Sequence, residues 1–164
     1  MSLCPNGLRC GGQTGADWAA VEAAAALKLA LAGWCPPDRM NEAGALPRDL
    51  PFVPTPQDRC AWAPDVPRSL RTEWNVRDAS ATLIVCPASH AAQDPGTCFT
   101  RICCHRYGRP VLQVDPFAQR AAGQAKGWLQ AVAPAQLNIA GPAESRCPGL
   151  QAAARALLVS VLTN

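Results

Sequence analysis

The sequence predicts an α/β fold, a mostly parallel β-sheet with α-helices on both faces. Three observations carry this expectation. Short apolar runs with β-branched residues alternate along the chain with alanine- and leucine-rich segments of helical length. Glycine falls at several of the joins between them. Half of the 16 prolines crowd into one stretch, 36–71, and leave the rest of the chain free for regular structure.

The elements follow in order. Residues 7–11 form a weak strand ending at Gly11-Gly12, and residues 16–31, rich in Ala, Leu, Glu and Lys, read as a helix. LAGWC (31–35) is a short buried strand, after which the proline-rich stretch 36–71 reads as a loop or lid without regular structure. ATLIVC (81–86) is a buried strand, GTCFTRICCHRYG (96–108) a helix stopped by Gly108, and RPVLQVD (109–115) another strand. Residues 120–133 suit an amphipathic helix, QLNIAG (136–141) a strand, and PGLQAAARALLVSVL (148–162) a helix with Pro148 near its start. This alternation describes one domain over residues 1–164, and its ligand is expected outside the carboxyl ends of the strands.

Composition narrows the function. With 49% apolar and 16% charged residues, a chain of 164 residues reads as a soluble protein with a real core. A net charge of +3 gives no footprint for nucleic acid. No signal peptide is expected, and Glu22 and Lys28 interrupt the longest apolar stretch, so neither is a membrane span. The nine cysteines include no C-x-x-C pair, and their one cluster is Cys98, Cys103 and Cys104 beside His105. They are expected to be reduced thiols acting as small hydrophobes in a cytoplasmic protein rather than a metal site.

Four segments could carry chemistry. GGQTGAD supplies Gly11, Gly12, Gln13, Thr14, Gly15 and Asp17. Its glycines allow backbone N–H groups to approach an anion at a helix start, although a tight strand-to-helix turn needs glycine even without a ligand. It matches neither the P-loop nor the dinucleotide spacing, and it has no lysine. PGTCFT places Gly96 and Thr97 after a strand, where Thr97 could cap the next helix. GPAESRCPG places Gly141, Pro142, Glu144 and Ser145 at a third strand end. There Glu144 and Ser145 could read a ligand's hydroxyl or ring N–H groups, or simply satisfy backbone. RTEWNVRDAS, read as a loop before the strand at 81, offers Arg71 and Arg77 as anion partners and Asn75 and Asp78 as ring or loop partners. Trp74 could stack on a ligand or pack against the core. Three glycine-bearing loops exceed what one turn requires, and together they suggest a cleft for a phosphorylated, ring-containing molecule.

In the same order, GGQTGAD, GWCP, RTEWNVRD, GT and LNIAGPAES..PG resemble the molybdenum cofactor carrier family, a circularly permuted YpsA-type branch of the SLOG superfamily. The resemblance runs from about Cys10 to Leu158. It implies a Rossmann-like three-layer sandwich, a homo-oligomer (dimer or tetramer), and a pocket for a phosphate-bearing ligand. In that family the ligand is the molybdenum cofactor, a pyranopterin phosphate. Carried over, the site is Gly11, Gly12, Thr14, Gly15, Asp17, Asn75, Asp78, Gly96, Thr97, Gly141, Pro142, Glu144 and Ser145. The glycine loops would take the phosphate and the other residues the ring. Asp78-Ala79-Ser80 stands where the family usually has Asp-Ser-Asp, and Pro95-Gly96-Thr97 where it has two glycines before the threonine.

Other functions fit the same fold. A nucleotide N-glycosidase resembling the Lonely Guy phosphoribohydrolases needs an acid after its PGGxGT loop, and PGTCFTRICC has none before Asp115. Glu144 or Asp17 would have to substitute. A nucleotide sensor of the SLOG type needs no catalytic residue. A DNA-processing module needs a basic face, for which Arg101, His105, Arg106 and Arg109 are the nearest candidates. A binding protein that holds a phosphorylated small molecule fits the absence of any nucleophile–base signature around His90 and His105.

Overall fold

Six strands pair in the order β5-β2-β1-β8-β6-β7, parallel throughout, in the computed structural model of the protein, which describes residues 4–163. The chain begins with β1 (Gly7–Arg9), α1 (Ala16–Leu27) and β2 (Ala30–Cys35). A small antiparallel hairpin, β3 (Met40–Asn41) and β4 (Gly44–Ala45), precedes β5 (Phe52–Pro54) and α2 (Ser69–Arg77). Then come β6 (Ala81–Val85), α3 (Ala88–Ala91), α4 (Pro95–Arg106), β7 (Val111–Val114), α5 (Ala121–Val132), β8 (Gln136–Ala140) and α6 (Leu150–Leu162).

A parallel sheet needs cover on both faces, and the strand sequences show it. Every residue of β6 is buried, and Leu83 lies opposite Leu112 on β7 and Ile139 on β8. In one layer α1, α5 and α6 pack together, and in the other α2 packs on α4. The predicted α/β architecture is therefore the observed one, a Rossmann-like three-layer sandwich. Ala19, Ala20, Ala23 and Ala24 of α1 are buried, and their small side chains let that helix approach α6 closely. A second, smaller core joins the stretch before α2 to the other layer, through Cys60, Leu70, Val76, Phe99, Cys103 and Cys104. The cysteines are spread through the structure, and seven of the nine are buried. Among the described residues no group of His, Cys, Asp or Glu is placed to hold a metal ion. No described helix is long and apolar enough to cross a membrane.

The structure corrects several expected boundaries. Helix α1 ends at Leu27 because Lys28 takes a left-handed φ of 56° and returns its N–H to Ala24 and Ala25, a stop that no glycine announces. The stretch 36–71 is not structureless, since it contains the hairpin and β5. Pro54 is tolerated in β5 because that strand lies at the sheet edge. RTEWNVRDAS is not a loop at a strand's carboxyl end; most of it is α2. Thr97 does not cap α4. Asp94 does, accepting from the Thr97 N–H at 2.8 Å and the Thr97 hydroxyl at 2.7 Å, with Pro95 in the first helical position. Gly108, with φ 59°, follows the last turn of α4 as expected.

Adjacent strands β8 and β6 feed helices in opposite layers, α6 and α4. The crevice this opens at their carboxyl ends, continued past β1, is where the predicted loops meet.

Candidate functional site

The first loop lies across the end of β1 and turns into α1. Asp17, in the first turn of α1, reaches back along it. Its Oδ2 accepts from the Gly11 N–H and the Gln13 N–H, both at 3.1 Å. The same oxygen accepts from Arg71 Nη1 at 3.1 Å. Burial pushes the Asp17 carboxyl above the ordinary carboxylate range, against the pull of Arg71 and the two amides. A Cβ at Gly11 would stand 1.9 Å from Arg71 Nη1, so a side chain there would displace the guanidinium from its place beside Asp17. Two of the amides that a phosphate was expected to use are therefore held by an internal carboxylate. Two more are also engaged: the Thr14 N–H donates to Gln13 Oε1 at 2.9 Å, and the Gly15 N–H to Gln151 Oε1 at 3.4 Å.

The third loop is stitched to the first. Gly15, with φ 73°, packs directly on it: a Cβ would lie 2.3 Å from the Pro142 carbonyl oxygen and 2.8 Å from the Glu144 nitrogen. The Glu144 N–H donates to the Thr14 hydroxyl oxygen at 3.0 Å. Glu144 itself serves the start of α6, accepting from the Gly149 N–H at 2.6 Å and the Gln151 N–H at 2.8 Å. Of the two roles open to Glu144, backbone satisfaction is the one its side chain performs. Asp17 and Glu144, either of which would have to substitute for the missing acid of a phosphoribohydrolase, are thus both committed to backbone donors.

A cavity of about 50 Å³ opens beside these loops, lined by Gly11, Asp17, Arg71, Asn75, Asn138 and Gly141 among others. Gly96, in the first turn of α4, also lines it. Two buried polar atoms on its lining residues, Arg71 Nε and Asn138 Oδ1, have no hydrogen-bond partner among the described residues. Asn138 escaped sequence reasoning, although an amide inside the apolar strand QLNIA was a usable signal. Its Nδ2 donates to Thr82 Oγ1 at 3.3 Å. A second cavity of about 240 Å³ is lined by His90, Gln93, Asp94, Pro142 and Arg146. Consecutive residues of the third loop line the two: Gly141 the first and Pro142 the second.

Not every predicted residue reaches this place. Asn75 lines the cavity, but both ends of its amide are tied to the backbone of Trp34, each bond 2.9 Å long. Asp78 is directed elsewhere. It accepts from Trp34 Nε1 at 2.7 Å and pairs with Arg77 at 2.7 Å, and these partners hold its carboxyl below the ordinary range although burial opposes them. Arg77 is thus used within α2. Trp74 packs, with its ring 4.7 Å from that of Trp34 and under the Arg77 guanidinium at 4.6 Å. In the proposed basic face, Arg106 sits over Trp62 at 4.5 Å and Arg109 donates to the Arg77 carbonyl at 2.8 Å, so both cations serve the chain's own packing.

Residue 42 was not anticipated. At the turn of the β3–β4 hairpin, the Glu42 carboxylate accepts from the Thr14 hydroxyl, the Ser145 hydroxyl and, at 3.1 Å, the Ser145 N–H. It bridges the first and third loops from outside.

Comparison with known proteins places the chain in a family and matches its fold. Residues 8–162 match the model of the circularly permutated YpsA SLOG family. The fold matches, with a TM-score of 0.85 and 30% identity, a crystal structure named "Putative molybdenum carrier protein" from Syntrophus aciditrophicus, covering 98% of this chain and 96% of that one. A comparison with curated protein sequences gives no match. The chain belongs to the circularly permuted YpsA SLOG family.

Proposed function

We propose that this member of the family is a binding protein for a phosphorylated small molecule, with the molybdenum cofactor, a pyranopterin phosphate, as its cargo. The carrying observation is a pair of partnerless buried atoms, Arg71 Nε and Asn138 Oδ1, on two residues that line one cavity at the carboxyl edge of the sheet. A buried donor and a buried acceptor are stabilised only when something bonds to each. A heterocycle whose edge carries both an acceptor and an N–H answers that requirement, and a pterin or a purine has such an edge. A cavity of about 50 Å³ admits an edge rather than a whole ring system. The remainder would extend past Gly141 toward the cavity of about 240 Å³ lined by Pro142, His90 and Arg146. The likeness to a protein named as a molybdenum carrier supports the pterin over the purine. A carrier also needs no catalytic acid, consistent with the committed state of Asp17 and Glu144.

The test is native mass spectrometry of freshly purified protein, followed by denaturation and identification of any released molecule. The expected result is a pterin phosphate, with or without molybdenum. A released nucleotide would favour a sensor or a phosphoribohydrolase. No released molecule, and no binding of a pterin phosphate or a nucleoside monophosphate on titration, would overturn the proposal.

A further inference from the structure

The β3–β4 hairpin is fastened to the first and third loops, although most of its residues are exposed. Its base is clamped to the sheet side. Arg39 donates to the Phe52 carbonyl at 2.6 Å and the Pro47 carbonyl at 3.2 Å, and Arg68 pairs with Asp38 at 2.8 Å. Its tip rests on the first loop. Asn41 Nδ2 donates to the Gly12 carbonyl at 2.9 Å, and the Glu42 N–H to Gln13 Oε1 at 3.2 Å. Beyond the tip, the Glu42 carboxylate receives two hydroxyls and one amide from two different loops.

That donor set is chemically an oxyanion site. Two hydroxyls and a backbone N–H converge from Thr14 and Ser145, and Arg146 adds positive potential nearby. The hydroxyls of Ser145 and Thr14 hold the Glu42 carboxyl below its ordinary range, as they would favour any anion placed there. Asp17 in the first loop is buried with an arginine partner, but Glu42 is exposed. Hydrogen bonds in water contribute little net stability and exchange readily, so this contact is the one able to give way.

We propose that Glu42 is a built-in competitor: its carboxylate occupies the Thr14–Ser145 oxyanion site that receives the ligand's phosphate, and the β3–β4 hairpin lifts to admit it. This rests on the reading of the ligand as phosphorylated, and adds where the phosphate sits and what guards it. The gate has a thermodynamic consequence. A site closed nine-tenths of the time binds about tenfold more weakly than the same site left open.

The test uses inorganic phosphate as the probe, titrated by calorimetry into the full-length protein and into Glu42→Ala at neutral pH. Glu42→Ala is expected to bind phosphate about tenfold more tightly than the unaltered protein. Adding Ser145→Ala to Glu42→Ala should remove that gain, because the site then loses a hydroxyl donor. Circular dichroism melts of each variant establish that they fold. Equal or weaker binding by Glu42→Ala overturns the gate. No phosphate binding by either protein overturns the oxyanion site itself. Neither outcome touches the identity of a co-purified ligand, which mass spectrometry decides separately.

Discussion

Arg71→Ala isolates the one strong electrostatic contact of the site. Arg71 and Asp17 are joined at 3.1 Å with side chains only 15% and 8% exposed. Removing one member of a mostly buried pair destabilises by about 3–5 kcal/mol, because the other charge is stranded. Asp17 would keep the Gly11 and Gln13 amides, so the lower end, about 3 kcal/mol, is expected at pH 7. The loss should depend on pH in a defined direction. Burial already raises the folded-state pKa of Asp17, and losing Arg71 raises it further. Between the unfolded value, about 3.9, and the folded one, the native state holds the proton more tightly, so stability falls as pH rises. The variant's window extends higher, so its deficit grows from acid toward neutral pH and then levels. Urea unfolding followed by tryptophan fluorescence reads this directly. With a slope of about 2 kcal/mol/M, the midpoint at pH 7 should drop by about 1.5 M. Combining Arg71→Ala with Asp17→Asn removes the stranded charge and should recover part of the loss. A deficit under about 1 kcal/mol, or one independent of pH, would refute the claim that Asp17 depends on Arg71.

Three further changes probe the scaffold. Gly15→Ala should destabilise by at least about 3 kcal/mol, since strain at the positive φ and the clash with the third loop add. Gly127→Ala, in α5 with open space around it, should stabilise by about 0.5–1 kcal/mol, and both are checked by urea midpoints. Asn75→Ala strips both backbone groups of Trp34 of their side-chain partner and should lower stability by about 2–4 kcal/mol, seen as a lower melting temperature.

The legible part of the fold was the part whose energetics are local in sequence. ATLIVC could be read as a strand because every residue of β6 is buried, and burial on both faces leaves an unbroken apolar run. Helix α2 was not legible for the opposite reason. It has polar residues through most of its length, and Glu73 and Asn75 are buried in it beside Leu70 and Val76. Its polar residues are satisfied by partners outside the helix: Trp34 for Asn75, and Trp62 and Tyr107 for Glu73. The site divides in the same way. The glycine loops announce themselves by spacing, but the pairing of Asp17 with Arg71 spans 54 positions and that of Glu42 with Ser145 spans 103. No periodicity records such contacts. A proline-rich stretch also conceals a hairpin of two-residue strands, whose position depends on Arg39 and Arg68 reaching carbonyl and carboxylate partners elsewhere.

These long-range pairs explain why the first glycine loop needs no lysine. A lysine in such a turn would balance the charge of a bound phosphate, but here the loop's Gly11 and Gln13 amides are already balanced by Asp17, and the cation comes from Arg71 on another layer. The loop is thereby organised before any ligand arrives, which lowers the ordering penalty of binding. An outside anion cannot readily displace Asp17, because that carboxylate is covalently tethered, buried and paired. It can displace Glu42, whose carboxylate is exposed and held by three donors that a phosphate would satisfy with more charge and more oxygens. The two acidic residues therefore have different work although both bind the same loop. Asp17 makes the turn rigid, and Glu42 sets the threshold at which the rigid turn and its neighbour accept an anion.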